Sequence, residues 1–434
     1  MKKLFVSIGL AAAGTASLQA TYAPGLDSMQ TTKLWSISGT LRGFYDNNYD
    51  TQQTDGRGSY GFEVSPSFSL NVPMQQTEFG LRYTYGLYYY QDREELHQNP
   101  IDQTHEFDLW LDHAFTERVQ GSVLDSFIVG QEPELLTPSS QGPTPVVQRV
   151  EGDNIANYAT FTLHNDWTRL LSTDLGYKNG FFYYQQHGDG NPIDEGANPS
   201  LAGTLNRDEN TAWLNLNWQV LPETVALMGV QFDQANYIAN EVIGEFGPLY
   251  YYSDSRDSRS YTGYLGLQEN FLPNLTFAAN VGVQYTDYYN DPLNSTTSVS
   301  PYAVASLTYT YAPGDYAQIG VNHSRNATYQ VDTVASNGSI ALDQESTLVF
   351  ANINHQLTPK LLATAIGQVQ LSSYNGGLYN NDVDTFYSIG LNLSYALTPH
   401  FSAEAGYNFD DVQSQIPGTE YSRNRVYLGV TAVY

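Results

Sequence analysis

The residues with the spacing to do chemistry are His105, Asp108, Asp112 and His113, two imidazoles and two carboxylates within nine positions. Such a set would suit a transition metal or a general acid–base pair. The segment alternates, however. Phe107, Leu109 and Leu111 fall on one parity, with Glu106, Asp108 and Asp112 on the other. An extended strand sends successive side chains to opposite faces, so His105 and His113 point away from the carboxylates and the four cannot meet. No Ser-His or Asp-His motif singles out a nucleophile elsewhere. The chain is therefore read as a non-enzyme with no cofactor and no catalytic or metal residues.

Two polar stretches carry oxygen ligands of the kind Ca2+ takes: Asp189, Asn191, Asp194 and Glu195, and Asn381, Asp382 and Asp384. Neither matches an EF-hand loop in full, and a solvated turn rich in Asp, Asn and Gly accounts for both. Divalent cations bridging such acidic loops to lipid phosphates stay open as partners.

The elements that must position these residues follow from composition. There is no cysteine, so disulfides, thiolate metal sites and a lipid-anchored N-terminal Cys are excluded. The formal charge of −27 argues against nucleic acid, whose phosphates need basic partners, and against a polybasic surface mode. No apolar run beyond the N-terminus approaches the ~20 residues of a membrane helix. Residues 1–20 read as a secretory signal, with Lys2 and Lys3, the apolar run Leu4 to Gly14 and a cleavage site at Leu18-Gln19-Ala20. Residues 21–33 read as a short periplasmic leader, and 34–434 as one further domain.

That domain alternates throughout. Trp35, Ile37, Leu41 and Tyr45 oppose Ser36, Ser38, Thr40 and Arg42; Leu391, Leu393, Tyr395 and Leu397 oppose Asn392, Ser394 and Ala396. The breaks between segments take turns. Eight short ones, such as those at Pro73, Pro222, Pro273, Pro359 and Pro399, alternate with longer polar ones such as 137–153, 188–207 and 331–342. Tight turns alternating with long loops point to a single transmembrane up-and-down antiparallel β-barrel of all-β class, with about 18 strands and 16 or 20 as the bounds. Parity is least clean over 122–136 and 171–186, where Asn179-Gly180 is read as a bulge in preference to a tight turn. Backbone groups in a bilayer must all bond internally, so with helices missing only a closed barrel will span. The apolar parity then faces lipid and the Gly- and Asn-rich parity a wet lumen. Tyr83, Tyr85, Tyr88, Tyr89 and Tyr90 are expected in an outer aromatic girdle, and Tyr250, Tyr251 and Tyr252 in an external loop.

The last strand places Val426, Leu428, Val430, Ala432 and Tyr434 on one parity. An alternating strand ending in an aromatic residue resembles the C-terminal targeting strand of outer-membrane proteins, where Phe is the more usual last residue. This implies the barrel-assembly machinery as a partner. Asp46-Asn47-Asn48, then Val64-Ser65-Pro66-Ser67-Phe68-Ser69-Leu70, then Leu81-Arg82-Tyr83 resemble the opening of the family described as "Putative beta-barrel porin 2". The resemblance covers most of the chain in architecture and only this opening in specific residues. It implies a bacterial outer-membrane barrel and no chemistry.

The polar parity supplies pore-lining candidates: acidic Glu63, Glu78, Glu106, Asp108, Asp112, Asp174, Asp233 and Glu404 against basic Arg42, Arg82 and Lys178. The long Pro-rich stretch 137–153, with Arg149, Glu151 and Asp153, either folds inward as a constriction loop or lies exposed. The expected function is passive diffusion of small polar solutes across a Gram-negative outer membrane, with mild cation preference from the acidic excess. The alternatives are a non-conducting structural or adhesive barrel acting through acidic external loops, and a barrel for polysaccharide export.

Overall fold

The computed structural model describes residues 33–131, 152–189, 191, 199–293, 296–328 and 334–434. The proposed signal and nearly all of the leader lie outside them. Twenty strands form. In the first half are β1 (Trp35–Asp46), β2 (Ser59–Pro73), β3 (Thr77–Tyr90), β4 (Ile101–Ala114), β5 (Val119–Gly130), β6 (Asn154–Asp166), β7 (Leu171–Tyr184), β8 (Arg207–Leu221) and β9 (Thr224–Tyr237). A short hairpin follows, β10 (Val242–Phe246) and β11 (Leu249–Tyr252). The second half has β12 (Ser258–Leu272), β13 (Leu275–Tyr288), β14 (Thr296–Ala312), β15 (Asp315–Asn326), β16 (Ala341–Thr358), β17 (Leu361–Gly376), β18 (Val383–Thr398), β19 (Phe401–Ser414) and β20 (Tyr421–Val433). Leaving out the β10–β11 hairpin, the other 18 pair antiparallel, each with its chain neighbours. β1 closes the barrel on β20, from Ser38 opposite Val433 to Asp46 opposite Arg425. Closure removes the free edges that an open sheet would expose in lipid.

The eight expected short breaks are turns on one rim, and the longer segments gather on the other. Side-chain alternation sorts the faces as expected. Leu216, Val283, Leu391 and Leu393 are exposed outward, whereas Asn215, Gln284 and Asn392 are buried toward the lumen. Outward aromatics gather near both rims. Trp167, Trp218, Phe271 and Phe401 sit by the short turns and Tyr177, Tyr261 and Tyr285 nearer the long loops. Rings with apolar bodies and polar tips suit these two levels.

Three expectations are corrected. Asn179-Gly180 is neither turn nor bulge: β7 runs straight through, with Asn179 opposite Ala159 and Gly180 opposite Tyr158 in unbroken register. Its outward face looks unlike a lipid face because Asn179 bonds Asp208 and Asn210 beside it. Tyr88 and Tyr90 leave the girdle. The strict two-residue period puts them with Arg82 on the inner face, where they are buried, and only Tyr83, Tyr85 and Tyr89 face outward. Asp384 is separated from Asn381 and Asp382. It lies fully buried at the start of β18, accepting from Tyr374 Oη and from Ser414 Oγ at 2.5 Å.

Candidate functional site

The site is the lumen wall, built from every second residue of each strand. From β19 through β1 to β5 its charges are locked together. Arg42 donates through Nε to Glu404 at 2.7 Å and through Nη1 to Glu63 at 3.0 Å. It reaches Glu404 by lying across Gly429 of β20, which stands opposite both residues. A Cβ on Gly429 would come within 2.7 Å of the Arg42 side chain, so only glycine admits this crossing. Arg82 donates to Asp108 at 3.0 Å and to Glu106 at 3.5 Å, and Asp108 also accepts from Ser126 at 2.9 Å. Nearer the long loops, Asp46 is fully buried and accepts from Arg423 at 2.6 Å and from Arg425 at 2.9 Å. Near the short turns Glu78 and Asp112 face each other directly, both exposed.

The far wall is different. Strands β6 to β9 and β12 to β16 surround a cavity of 390 Å³ in which Lys178, Asp233, Trp213 and Tyr264 face inward. Trp213 lies flat over Gly176 of the adjacent strand, where a Cβ would sit 1.9 Å from its ring. Tyr264 likewise covers Gly229 and donates to Asn215 two strands away at 2.6 Å. Glycine on one strand thus makes room for each aromatic face on the next. Asp174, deeper in the wall, accepts from Asn217 at 2.6 Å and pairs with His164 at 2.6 Å.

Three long loops roof this cavity. They contain the short helix α1 (Leu201–Leu205), the β10–β11 hairpin and a 3-10 turn (Ser253–Arg256). Ile243, Tyr251, Tyr288, Ile340 and Leu342 pack into a small apolar core. Glu241 ties two of the loops together, pairing with His187 Nδ1 at 2.7 Å and accepting from the Gly188 N–H at 3.1 Å and from Ser200 Oγ. Burial raises the Glu241 carboxyl, but these hydrogen bonds outweigh it and hold the group below its ordinary value. Arg256, fully buried over the Tyr237 ring, donates to the carbonyls of Thr204 at 2.5 Å and Thr328 at 3.0 Å. Asp257 beside it is pushed up to about 6 by burial, against the pull of the Tyr237 N–H it accepts at 2.7 Å.

The wall itself contributes to the roof. The β14–β15 ladder stops at Ala303 opposite His323, although both strands continue. Pro301 lies just beyond that point and has no N–H to give a ladder. Above it, Arg325 reaches the hydroxyls of Ser298 at 2.5 Å and Ser300 at 3.1 Å, which share the lumen parity of Thr286 and Gln284, and binds Asp343 at 2.7 Å. The tip of the β15–β16 hairpin therefore folds inside β13 and β14.

Arg42, Glu63, Glu78, Arg82, Glu106, Asp108, Asp112, Asp174, Lys178, Asp233 and Glu404 all lie on the inner parity. They do not converge on one centre. They divide between the locked wall, the exposed Glu78–Asp112 pair, the cavity and, deeper in the wall, Asp174 held by His164 and Asn217. His105 and His113 face outward, bonded to Tyr83 and Thr77. Of the constriction-loop candidates, Arg149 and Glu151 lie outside the described residues, and Asp153 is exposed just before β6. Asp194 and Glu195 are outside them as well. Among the described residues no three His, Asp or Glu side chains gather for a metal. The sequence reading missed Arg207, Arg423 and Arg425, whose inner parity was legible against Leu214 and Val426. It also missed Arg325, which shares parity with outward Ile319 and Val321. Only the inward fold of the hairpin tip turns it inside.

A family model described as "Putative beta-barrel porin 2" matches residues 37–434. No curated protein matches the chain significantly. Similar solved structures include the outer membrane protein OpdK from Pseudomonas aeruginosa, at 10% identity and TM-score 0.46, covering 92% of this chain and 99% of that one. OccAB4 from Acinetobacter baumannii gives 13% identity and TM-score 0.43, over 94% and 100%. OccK2 (OpdF) from Pseudomonas aeruginosa, solved in complex with glucuronate, gives 9% identity and TM-score 0.44, over 92% and 98%. With the family model spanning nearly the whole closed 18-stranded barrel, the chain belongs to the "Putative beta-barrel porin 2" family of bacterial outer-membrane proteins.

Proposed function

We propose that the barrel is a passive diffusion channel for small polar solutes with a mild preference for cations. The observation that carries this reading is the polar inner wall around the 390 Å³ cavity. Side chains such as Asn215, Thr262 and Gln284 on that wall suit water-borne solutes and not lipid. Two locked clusters keep one negative charge each, Arg42 against Glu63 and Glu404 and Arg82 against Glu106 and Asp108, whereas Asp46 between Arg423 and Arg425 leaves one positive charge. Glu78 and Asp112 face each other and add two that no ion pair offsets among the described residues. Arg207, Arg423 and Arg425 temper the excess, which keeps the preference mild. Fixed charge in a confined pore raises the local concentration of counter-ions.

The short-turn rim faces the periplasm and the roofed rim the outside, with Tyr434 packed on Trp35 at the seam that the assembly machinery must close. Reversal potentials across a KCl gradient test the channel. Cation preference should fall in the Glu78→Gln, Asp112→Asn double variant, and it should shrink in 1 M salt, where the Debye length is roughly 3 Å. Anion preference would refute the charge argument. Absence of conductance would favour the structural or adhesive barrel, and passage of long glycans alone would favour polysaccharide export.

A further inference from the structure

The cavity holds two opposite charges that do not meet. Lys178 of β7 stands opposite Thr211 of β8, and Thr211 stands opposite Asp233 of β9, all three on the inner face. Two strand spacings set the outer two backbones about 10 Å apart. Asp233 is held in place, accepting from Thr211 Oγ1 at 2.8 Å and from Gln231 Nε2 at 2.9 and 3.0 Å. No cation pairs with it among the described residues. Lys178, likewise, makes no ion pair or hydrogen bond among them. Its ammonium acts on Asp233 through space, yet it makes no salt bridge to Asp233 or to Glu209 among the described residues. Elsewhere on the inner wall Arg42, Arg82 and Arg325 all close on carboxylates. Both Lys178 and Asp233 are half-buried, so a solute in the cavity can reach them. Directly below, Trp213 presents its face over Gly176, and its Nε1 has no acceptor among the described residues.

We propose that Lys178 and Asp233 hold the two ends of a zwitterionic solute of the α-amino-acid class, with the solute's side chain on Trp213. The proposal rests on the channel reading and names its preferred solute. An ammonium and a carboxylate on one carbon, each making a charge-assisted bond of about 2.8 Å to its partner, together span about 8 Å, close to the width of the row. The solute carboxylate accepts from the Lys178 ammonium, and its ammonium donates to Asp233. A neutral sugar of the same size gains neither charged bond. A solute with one charge leaves the other wall charge desolvated and uncompensated, which is costly.

The test is equilibrium binding of L-glutamine and of glucose to the purified full-length barrel in detergent, read by tryptophan fluorescence. Glutamine should bind in preference to glucose. Lys178→Met and Asp233→Asn should each weaken glutamine about tenfold or more and leave glucose unchanged. The Lys178→Glu, Asp233→Lys double swap should bring glutamine back to within about threefold, because a zwitterion can enter reversed. The unmodified protein gives a second, variant-free readout: N-acetylglutamine and glutaminamide, each lacking one charge, should both bind about tenfold more weakly than glutamine. Equal binding of glutamine, glucose and the two blocked forms would overturn the site. Binding needs no current, so a silent bilayer with intact glutamine binding would sink the channel reading and spare this one. Conductance without glutamine preference would do the reverse.

Discussion

The two sides of the lumen wall treat charge in opposite ways. From β19 through β1 to β5, every strand guanidinium closes on carboxylates, as with Arg42 between Glu63 and Glu404. From β7 to β9, Lys178 and Asp233 stand two strands apart with Thr211 between them. The locked side makes hydrogen bonds among its own groups and has little left for a solute. The open side keeps a cation, an anion and an aromatic face at fixed spacing under a roof of packed loops. A barrel of this width needs its inner polar groups satisfied on part of the wall to hold its shape. The remainder is free to recognise what passes.

Breaking the locked side should cost most. Arg42→Met leaves Glu63 and Glu404 without their shared cation, with their side chains nearly buried, at 5% and 9% exposure. A loss of roughly 3–5 kcal/mol is expected in reversible urea unfolding into lipid vesicles. A loss under about 1 kcal/mol would mean that lumen water already screens the cluster, and the contrast between the walls would vanish.

On the open side the sharpest steric change is Gly176→Val. Its added carbons meet the Trp213 ring. Overpacking of this kind costs roughly 1–3 kcal/mol. The tilted indole should alter the tryptophan fluorescence and weaken glutamine binding even where the barrel still folds. Unchanged fluorescence would show that the ring does not rest on Gly176.

The roof should respond to pH. Asp257 has its carboxyl raised to about 6, chiefly by burial. The folded loop thus prefers the protonated form. The stability this contributes is fully present below the ordinary carboxylate value and is lost as pH rises through about 6. Protease cleavage in this loop should therefore slow as external pH falls from 7 to 5, and Asp257→Asn should remove the midpoint near 6. A midpoint that persists in the variant would assign the effect to another group.

The smallest effect is expected at Lys178. Lys178→Met removes a side chain that makes no hydrogen bond or ion pair among the described residues, so stability should change by no more than about 0.5 kcal/mol. A loss as large as that of Arg42→Met would make Lys178 a structural residue and dissolve the comparison.

Much of this was legible in the chain because β structure with one face in lipid writes itself as parity. Leu216 against Asn215 and Val283 against Gln284 needed no tertiary knowledge, since period-two alternation and the rule that lipid tolerates no unpaired backbone leave one architecture. The alternation of short and long breaks placed all eight turns and hence the strand number. The same rule misled where the outward face rises beyond lipid. Polar residues such as Asn179 then interrupt the apolar parity, and the strand looks broken.

Sequence alone thus determined the barrel, its closure and the parity along each strand, because each of these depends on local alternation and on the solvent each face meets. The tertiary structure decided which inward residues touch. Arg42 finds Glu404 at a separation of 362 residues only because β20 closes on β1 and Gly429 leaves a gap. Arg325 turns inside only because the β14–β15 ladder ends at Ala303 and the hairpin tip folds over the lumen. Lys178 and Asp233 stay apart because strand register puts Thr211 between them. Register across the seam and loop packing are relations between distant segments, and no pattern within one segment records them.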